Sequence, residues 1–269
     1  MLSLWLSSRP EIDRVLQNPV LRPLQAPSSV ASGSAKAPDN VPWNLQLIGA
    51  DRVWLDFGIT GQGIIIGQSD SGVEGSHPEI SSNYRGRETG DDYNWYDPWN
   101  GSGQPTDIGG HGTHTLGSIL GANTGVAPGA EWIGCVNLAR NLANPSLYLD
   151  CLQFMLAPFP AGGDPLVDGD PLLAADILNN SWGCPPIEGC DPDTLLDAAR
   201  ALRQAGIFVV VSAGNEGPFC ESVSHPLALY DEVLSVGAVD QDGALAIFSS
   251  IGPVSADDSL RTKPDLLAP

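Results

Sequence analysis

GIFVVVSA, residues 206–213, decides the fold class. Its apolar run is unbroken from Ile207 to Val211 and has the length of a strand buried on both faces. It runs straight into Ala213-Gly214-Asn215-Glu216-Gly217, a polar, glycine-rich turn. Four other segments read the same way: GIIIGQS (63–69), EWIGCVNL (131–138), DILNNS (176–181) and EVLSVGAV (232–239). Helical candidates lie between them at 112–121, 146–157 and 192–205. The last opens on Asp191-Pro192-Asp193, the capping carboxylate and first-turn proline of a helix start. Strands alternating with helices predict an α/β fold, with a mostly parallel central sheet and helices on both faces.

The 269 residues suffice for one large domain that buries roughly 70–75% of its unfolded surface. Apolar residues make up 42% and charged residues 16%, a folded rather than disordered composition. Thirty-two acidic against 12 basic residues give a net charge of −20. Phosphate recognition needs clustered Lys and Arg, so nucleic acid is excluded as a partner. No run approaches the length of a transmembrane helix, so no membrane partner is expected either. A repelling acidic surface fits a monomer.

Residues 26–40, APSSVASGSAKAPDN, read as a linker, and PEIDRVLQNP before it as a short helix. The opening MLSLWLSSR lacks the basic start and cleavage site of a signal peptide. Five cysteines occur, none in a CxxC pair. Cys184 and Cys190 flank a Pro-Pro turn and are spaced to close a small disulfide loop. Cys135 and Cys151 are placed to bridge a strand to the following helix, which leaves Cys220 over. Disulfides imply an oxidising compartment. The connectivity itself stays open.

In an open parallel sheet the working residues gather at the carboxyl ends of the strands. Those ends here are Asp70, the run Ser181-Trp182-Gly183, and Asn215. A carboxylate at the end of an apolar strand is costly unless partnered, and an imidazole N–H is its natural partner. DIGGHGTHTLG (107–117) supplies two histidines at a helix start. His111 and His114 are spaced to share a metal, but zinc needs further ligands and the HExxH glutamate is absent. The competing readings are two unrelated helix-start histidines, or His111 as a catalytic base. Asn215, between glycines, is placed to donate to a developing oxyanion. Residues 181–183 offer an edge to which an extended peptide can add. Asp91, Asp92, Asp97 and Asp107 crowd one loop, without EF-hand spacing, and leave a structural calcium open. His77 and His225 precede prolines in loops and read as surface or packing residues.

Taken together, GQSDSGVEGSHPEI, GGHGTHTLGSILG, NNSWG and VVVSAGNEGP resemble, in order, the aspartate, histidine, substrate-strand and oxyanion-hole motifs of the subtilisin-like serine proteases. NYRG, NWYDPWN, FMLAP and NNSWG most resemble the bacillopeptidase F branch. The resemblance runs from about Trp43 to Pro269. It implies a subtilisin-like three-layer fold and a secreted serine endopeptidase acting on peptides and proteins. No cofactor is required, though calcium is possible as a structural ion. Asp70 would orient His111, His111 would be the general base, and Asn215 would donate to the oxyanion. Ser181, Trp182 and Gly183 would line the substrate cleft, and His114 would pack structurally. The family's Gly-Thr-Ser-Met-Ala-type serine motif follows a segment like RTKPDLLAP, where this chain stops. The expectation is therefore a fold incomplete at its C-terminus: residues 1–27 a propeptide tail or N-terminal remnant, 28–42 a maturation linker, and 43–269 a peptidase domain lacking its serine. The rival expectation is an inactive fragment or non-catalytic peptide binder.

Overall fold

The computed structural model describes residues 41–139 and 142–269, together with Leu6, Arg9, Pro10 and Ile12. Apart from those four positions, the helix and linker expected before residue 41 lie outside the described residues. From residue 41 onward the chain opens with two short helices, α1 (Trp43–Leu47) and α2 (Ala50–Phe57). Gly49 and Gly58, both left-handed, bound the second. The sheet strands are β1 (Ile65–Asp70), β2 (Trp95–Tyr96), β3 (Glu131–Val136), β4 (Ile177–Asn180), β5 (Phe208–Ser212), β6 (Leu234–Ala238) and β7 (Leu266–Ala268). Among the described residues they form one seven-stranded sheet in the order β2-β3-β1-β4-β5-β6-β7. Every pairing is parallel. The other helices are α3 (Gly86–Thr89), α4 (His111–Leu120), α5 (Pro145–Leu156) and α6 (Leu196–Gln204).

The five strands read from apolar runs are all present, as are the three helices. The two remaining strands were not foreseen. α5 starts as its sequence dictates: Asn144 accepts from the Leu147 N–H (3.2 Å) and Pro145 occupies the first turn. α6 corrects the expected start at 192. Asp191 accepts instead from the Asp193 N–H (3.1 Å) and the Thr194 hydroxyl (2.9 Å). That closes a turn, and the helix begins only at Leu196.

Helices lie on both faces. α5 and α6 cover one, packing Cys151, Leu152, Met155, Ala199 and Leu202 against Leu178, Val209 and Val211. α4 covers the other over β1 and β3, placing Leu116 and Leu120 beside Ile66, Trp132 and Val136. The cover is uneven. β1 and β3 are buried almost throughout, whereas β4, β5 and β6 alternate. Register places Ile177, Phe208, Val210, Leu234 and Val236 on the α4 face. There Phe208 is 54% exposed and the others are half-buried. The sheet is therefore covered on two faces near β1 and on one face further along.

Two disulfides join the expected pairs, Cys135–Cys151 and Cys184–Cys190, with Cα separations of 5.5 and 5.7 Å. Cys220 is free and exposed. The first bridge fastens β3 to α5 across 16 residues. Closing a loop of that length is worth about 3 kcal/mol through the unfolded state. The Cys135→Ala/Cys151→Ala variant should lose about that much in urea denaturation. A loss below about 1 kcal/mol would contradict this assignment.

Candidate active site

β1 delivers Asp70 to the carboxyl edge of the sheet, where its side chain is fully buried. Its Oδ1 accepts the Ser71 N–H (2.6 Å) and pairs with His111 Nδ1 (2.7 Å). Its Oδ2 accepts the Thr115 hydroxyl at 3.4 Å. His111 is the first residue of α4, and left-handed Gly110 turns the chain into it. Gly112 allows the close approach: a Cβ there would overlap the Gly72 carbonyl oxygen and press on the Asp70 side chain. Only a residue without a side chain lets α4 sit this near β1.

Asp107 fixes that helix start, a role the sequence did not disclose. Its Oδ1 accepts from Gly109 N (3.0 Å), Gly110 N (2.8 Å) and the Ser71 hydroxyl (2.9 Å). Its Oδ2 accepts from Thr113 N (2.9 Å) and the Thr113 hydroxyl (2.6 Å). The Ser71 hydroxyl oxygen in turn accepts the Gly112 N–H (3.0 Å). A carboxylate at a helix N-terminus is also favoured by the helix dipole.

The Asp70 carboxylate holds the His111 imidazole above the ordinary histidine range. The hydrogen bond is the leading cause, burial opposes it, and the charges of Asp70 and Asp107 add to it. With Nδ1–H committed to Asp70, the neutral ring carries its lone pair on Nε2. The His111 side chain is 43% exposed, and among the described residues Nε2 meets no hydrogen-bond partner. The pair is thus a buried carboxylate with a half-open base.

The neighbouring strands bring the other candidates to the same edge. β4 leads into Ser181-Trp182-Gly183, and β5 leads into Gly214-Asn215. The Trp182 ring is turned into the core, 7% exposed, and stacks on Tyr148. Its Nε1–H donates to the Ser69 carbonyl (2.9 Å), tying this segment to β1 one residue before Asp70. Trp182 therefore offers the edge its backbone rather than its ring. Ser181 Oγ accepts from Asn179 Nδ2 (3.0 Å). Asn215 is exposed, and its side-chain amide has no partner among the described residues.

Other expectations fare differently. His114 does not pack: it is exposed, three residues beyond His111 on a helix whose buried stripe is Gly112, Leu116 and Leu120. His77 accepts the Glu79 N–H within its own loop. The four aspartates do not fit a shared cation. Asp91 accepts from the Tyr84 hydroxyl, Asp92 from Ala161 N, and Asp97 from the N–H groups of Trp99, Asn100 and Ser102. Asp107 is committed to α4. Among the described residues no group of three or more His, Cys, Asp or Glu side chains is arranged to hold a metal ion.

The raised His111 pKa has a sign that can be checked. A histidine raised on folding stabilises the fold fully below its unfolded pKa and stops doing so as pH rises through the folded one. The stability difference between the native chain and His111→Gln should therefore be larger at about pH 5 than at about pH 9 in urea denaturation. A flat or reversed difference would contradict the pairing.

Comparison with known proteins gives the family and the fold. The sequence model of the subtilase family matches residues 61–269. Bacillopeptidase F of Bacillus subtilis (strain 168) is 35% identical over 280 residues, covering 97% of this chain and 19% of that protein. Serine protease AprX of the same organism is 30% identical over 232 residues, covering 78% of this chain and 47% of that protein. The crystal structure of a cold adapted subtilisin-like serine proteinase superposes with a TM-score of 0.58 at 21% identity, over 78% of this chain and 64% of that one. The chain thus spans less than half the length of both curated relatives. With the family's sequence model matched over residues 61–269, this chain belongs to the subtilase family.

Proposed function

We propose that this chain is the Asp- and His-bearing part of a serine endopeptidase, with its nucleophilic serine supplied by a segment outside residues 1–269. The observation that carries this is the Asp70–His111 pair at 2.7 Å, with Nε2 turned outward. In the completed site Nε2 takes the serine hydroxyl proton as the oxygen attacks the scissile carbonyl. Asp70 stabilises the imidazolium that results. His111 then returns the proton to the leaving amine, and a water molecule repeats the cycle on the acyl-enzyme. The Asn215 amide donates to the oxyanion, a contact worth about 3–4 kcal/mol in the transition state. The backbone at 181–183 takes the peptide as an added strand.

The uneven sheet supports a completing segment. Phe208, Val210, Leu234 and Val236, on β5 and β6, lie on the half-covered α4 face of the sheet beyond β4, where apolar cover would bury them. The paired cysteines support an oxidising, extracellular setting. Among the described residues no helix is long and apolar enough to cross a membrane.

The test compares residues 1–269 alone with a polypeptide extended through a Gly-Thr-Ser-Met-Ala-type segment, using labelled casein. Only the extended form should cleave, and His111→Ala in it should cost about 10⁶ in turnover, as loss of the triad histidine does in subtilisin. Cleavage that survives His111→Ala would sink the proposal. So would an extended form that binds peptide without cleaving it.

A further inference from the structure

The Cys184–Cys190 bridge closes a loop directly after residues 181–183. Inside that loop Glu188 is enclosed, only 2% exposed. Its Oε1 accepts the Ala143 N–H (3.0 Å) and its Oε2 accepts the Tyr148 hydroxyl (2.8 Å). The same hydroxyl lies 3.2 Å from the Gly183 carbonyl oxygen. Tyr148 stacks on Trp182, with ring centroids 4.0 Å apart and 15° between the planes. The Asp70–His111 chemistry makes no use of Glu188. A buried carboxylate is nevertheless expensive to keep.

A tyrosine hydroxyl has one hydrogen, so it cannot donate fully to both the carboxylate and the Gly183 carbonyl. We propose that Glu188 is a positioning residue acting through Tyr148: its protonation state decides which of the two receives that hydrogen, and so how readily the edge at 181–183 takes an extended peptide. The inference rests on reading 181–183 as the docking edge.

With Glu188 ionised, the hydrogen goes to Oε2, because a charge-assisted bond is the stronger of the two. The Gly183 carbonyl is then free to accept a peptide N–H. When Oε2 takes a proton from solvent, the carboxyl O–H donates to the Tyr148 oxygen. The Tyr148 hydrogen turns to the Gly183 carbonyl, occupies one of its two lone pairs and so weakens it as an acceptor for the incoming peptide. Burial pushes the Glu188 carboxyl upward, while the hydrogen bonds from Tyr148 and Ala143 and the charge of His225 oppose it. Burial and the neighbouring Glu188 keep the Tyr148 phenol protonated, well above the usual tyrosine range, with the Asp70 charge adding to the effect. His225 and Glu216 also stand at this edge, along with the Asp70–His111 pair. His225 abuts Gly183 and lies 3.8 Å from Glu216.

Two readouts on the full chain test this. The amide nitrogen of Cys184 follows hydrogen bonding at the preceding Gly183 carbonyl, and the chain has five cysteines in all. In ¹⁵N-cysteine-labelled protein the Cys184 nitrogen should shift in one step between acid and neutral pH. The step should vanish in both Glu188→Gln and Tyr148→Phe. Affinity for a fluorescein-labelled hexa-alanine peptide should fall about two- to tenfold on the acid side, the worth of one hydrogen bond, and only in the native chain. A Cys184 signal that is flat with pH, or an unchanged step in Glu188→Gln, overturns the relay. A Cys184 step with no change in peptide binding overturns the proposal through the docking edge instead.

Discussion

The Asp70 carboxylate sits fully buried at the end of an apolar strand, and the site depends on how that charge is satisfied. Water cannot reach it, so the protein must supply donors. Ser71 gives its backbone N–H, Thr115 its hydroxyl, and His111 its Nδ1–H. Each of these sets a constraint elsewhere. The start of α4 must pack close against the end of β1, so Gly112 can carry no side chain. Gly110 must turn left-handed, and Asp107 must gather the loop beneath it. The base is oriented because the buried acid needs it.

The same edge is tied sideways. Trp182 reaches from the end of β4 to the Ser69 carbonyl, and Tyr148 stacks on Trp182. The Cys135–Cys151 bridge fastens α5, which carries Tyr148, back to β3. The docking edge, the acid strand and α5 therefore form one braced unit. Away from it the α4 face of the sheet opens. Half-buried Ile177, Val210, Leu234 and Val236 there contrast with the closed face under α5 and α6.

Much of this was legible in the sequence because fully buried parallel strands leave a distinctive trace. The run GIIIGQS at β1 needs no alternation, since both faces are covered there; IFVVV leaves the same trace although only one face of β5 is closed. Asp70 and His111 were legible because a strand-end acid and a glycine-flanked histidine are both unusual in residue type and place. β2 and β7 were missed because two or three residues make no pattern. The start of α6 was misplaced because Asp191 has the chemistry of a cap yet spends its carboxylate on a turn. The roles of Asp107 and Glu188 were hidden for a different reason. Asp107 read as one of four loop aspartates that left a calcium open, and Glu188, two residues beyond a Pro-Pro pair, drew no reading of its own. Glu188 finds Ala143 and Tyr148 in segments that only the fold brings near, while Asp107 gathers its own following turn and adds Ser71 from the end of β1. His114 was expected to pack, but its position on α4 faces away from the buried stripe.

A buried Asp70 orients His111 and raises its pKa. The most direct measurement is the His111 pKa, followed by NMR of the imidazole in the native chain and in Asp70→Asn. The account predicts a value above the ordinary histidine range that drops when the carboxylate is replaced. An ordinary or depressed value that Asp70→Asn leaves unchanged would contradict it.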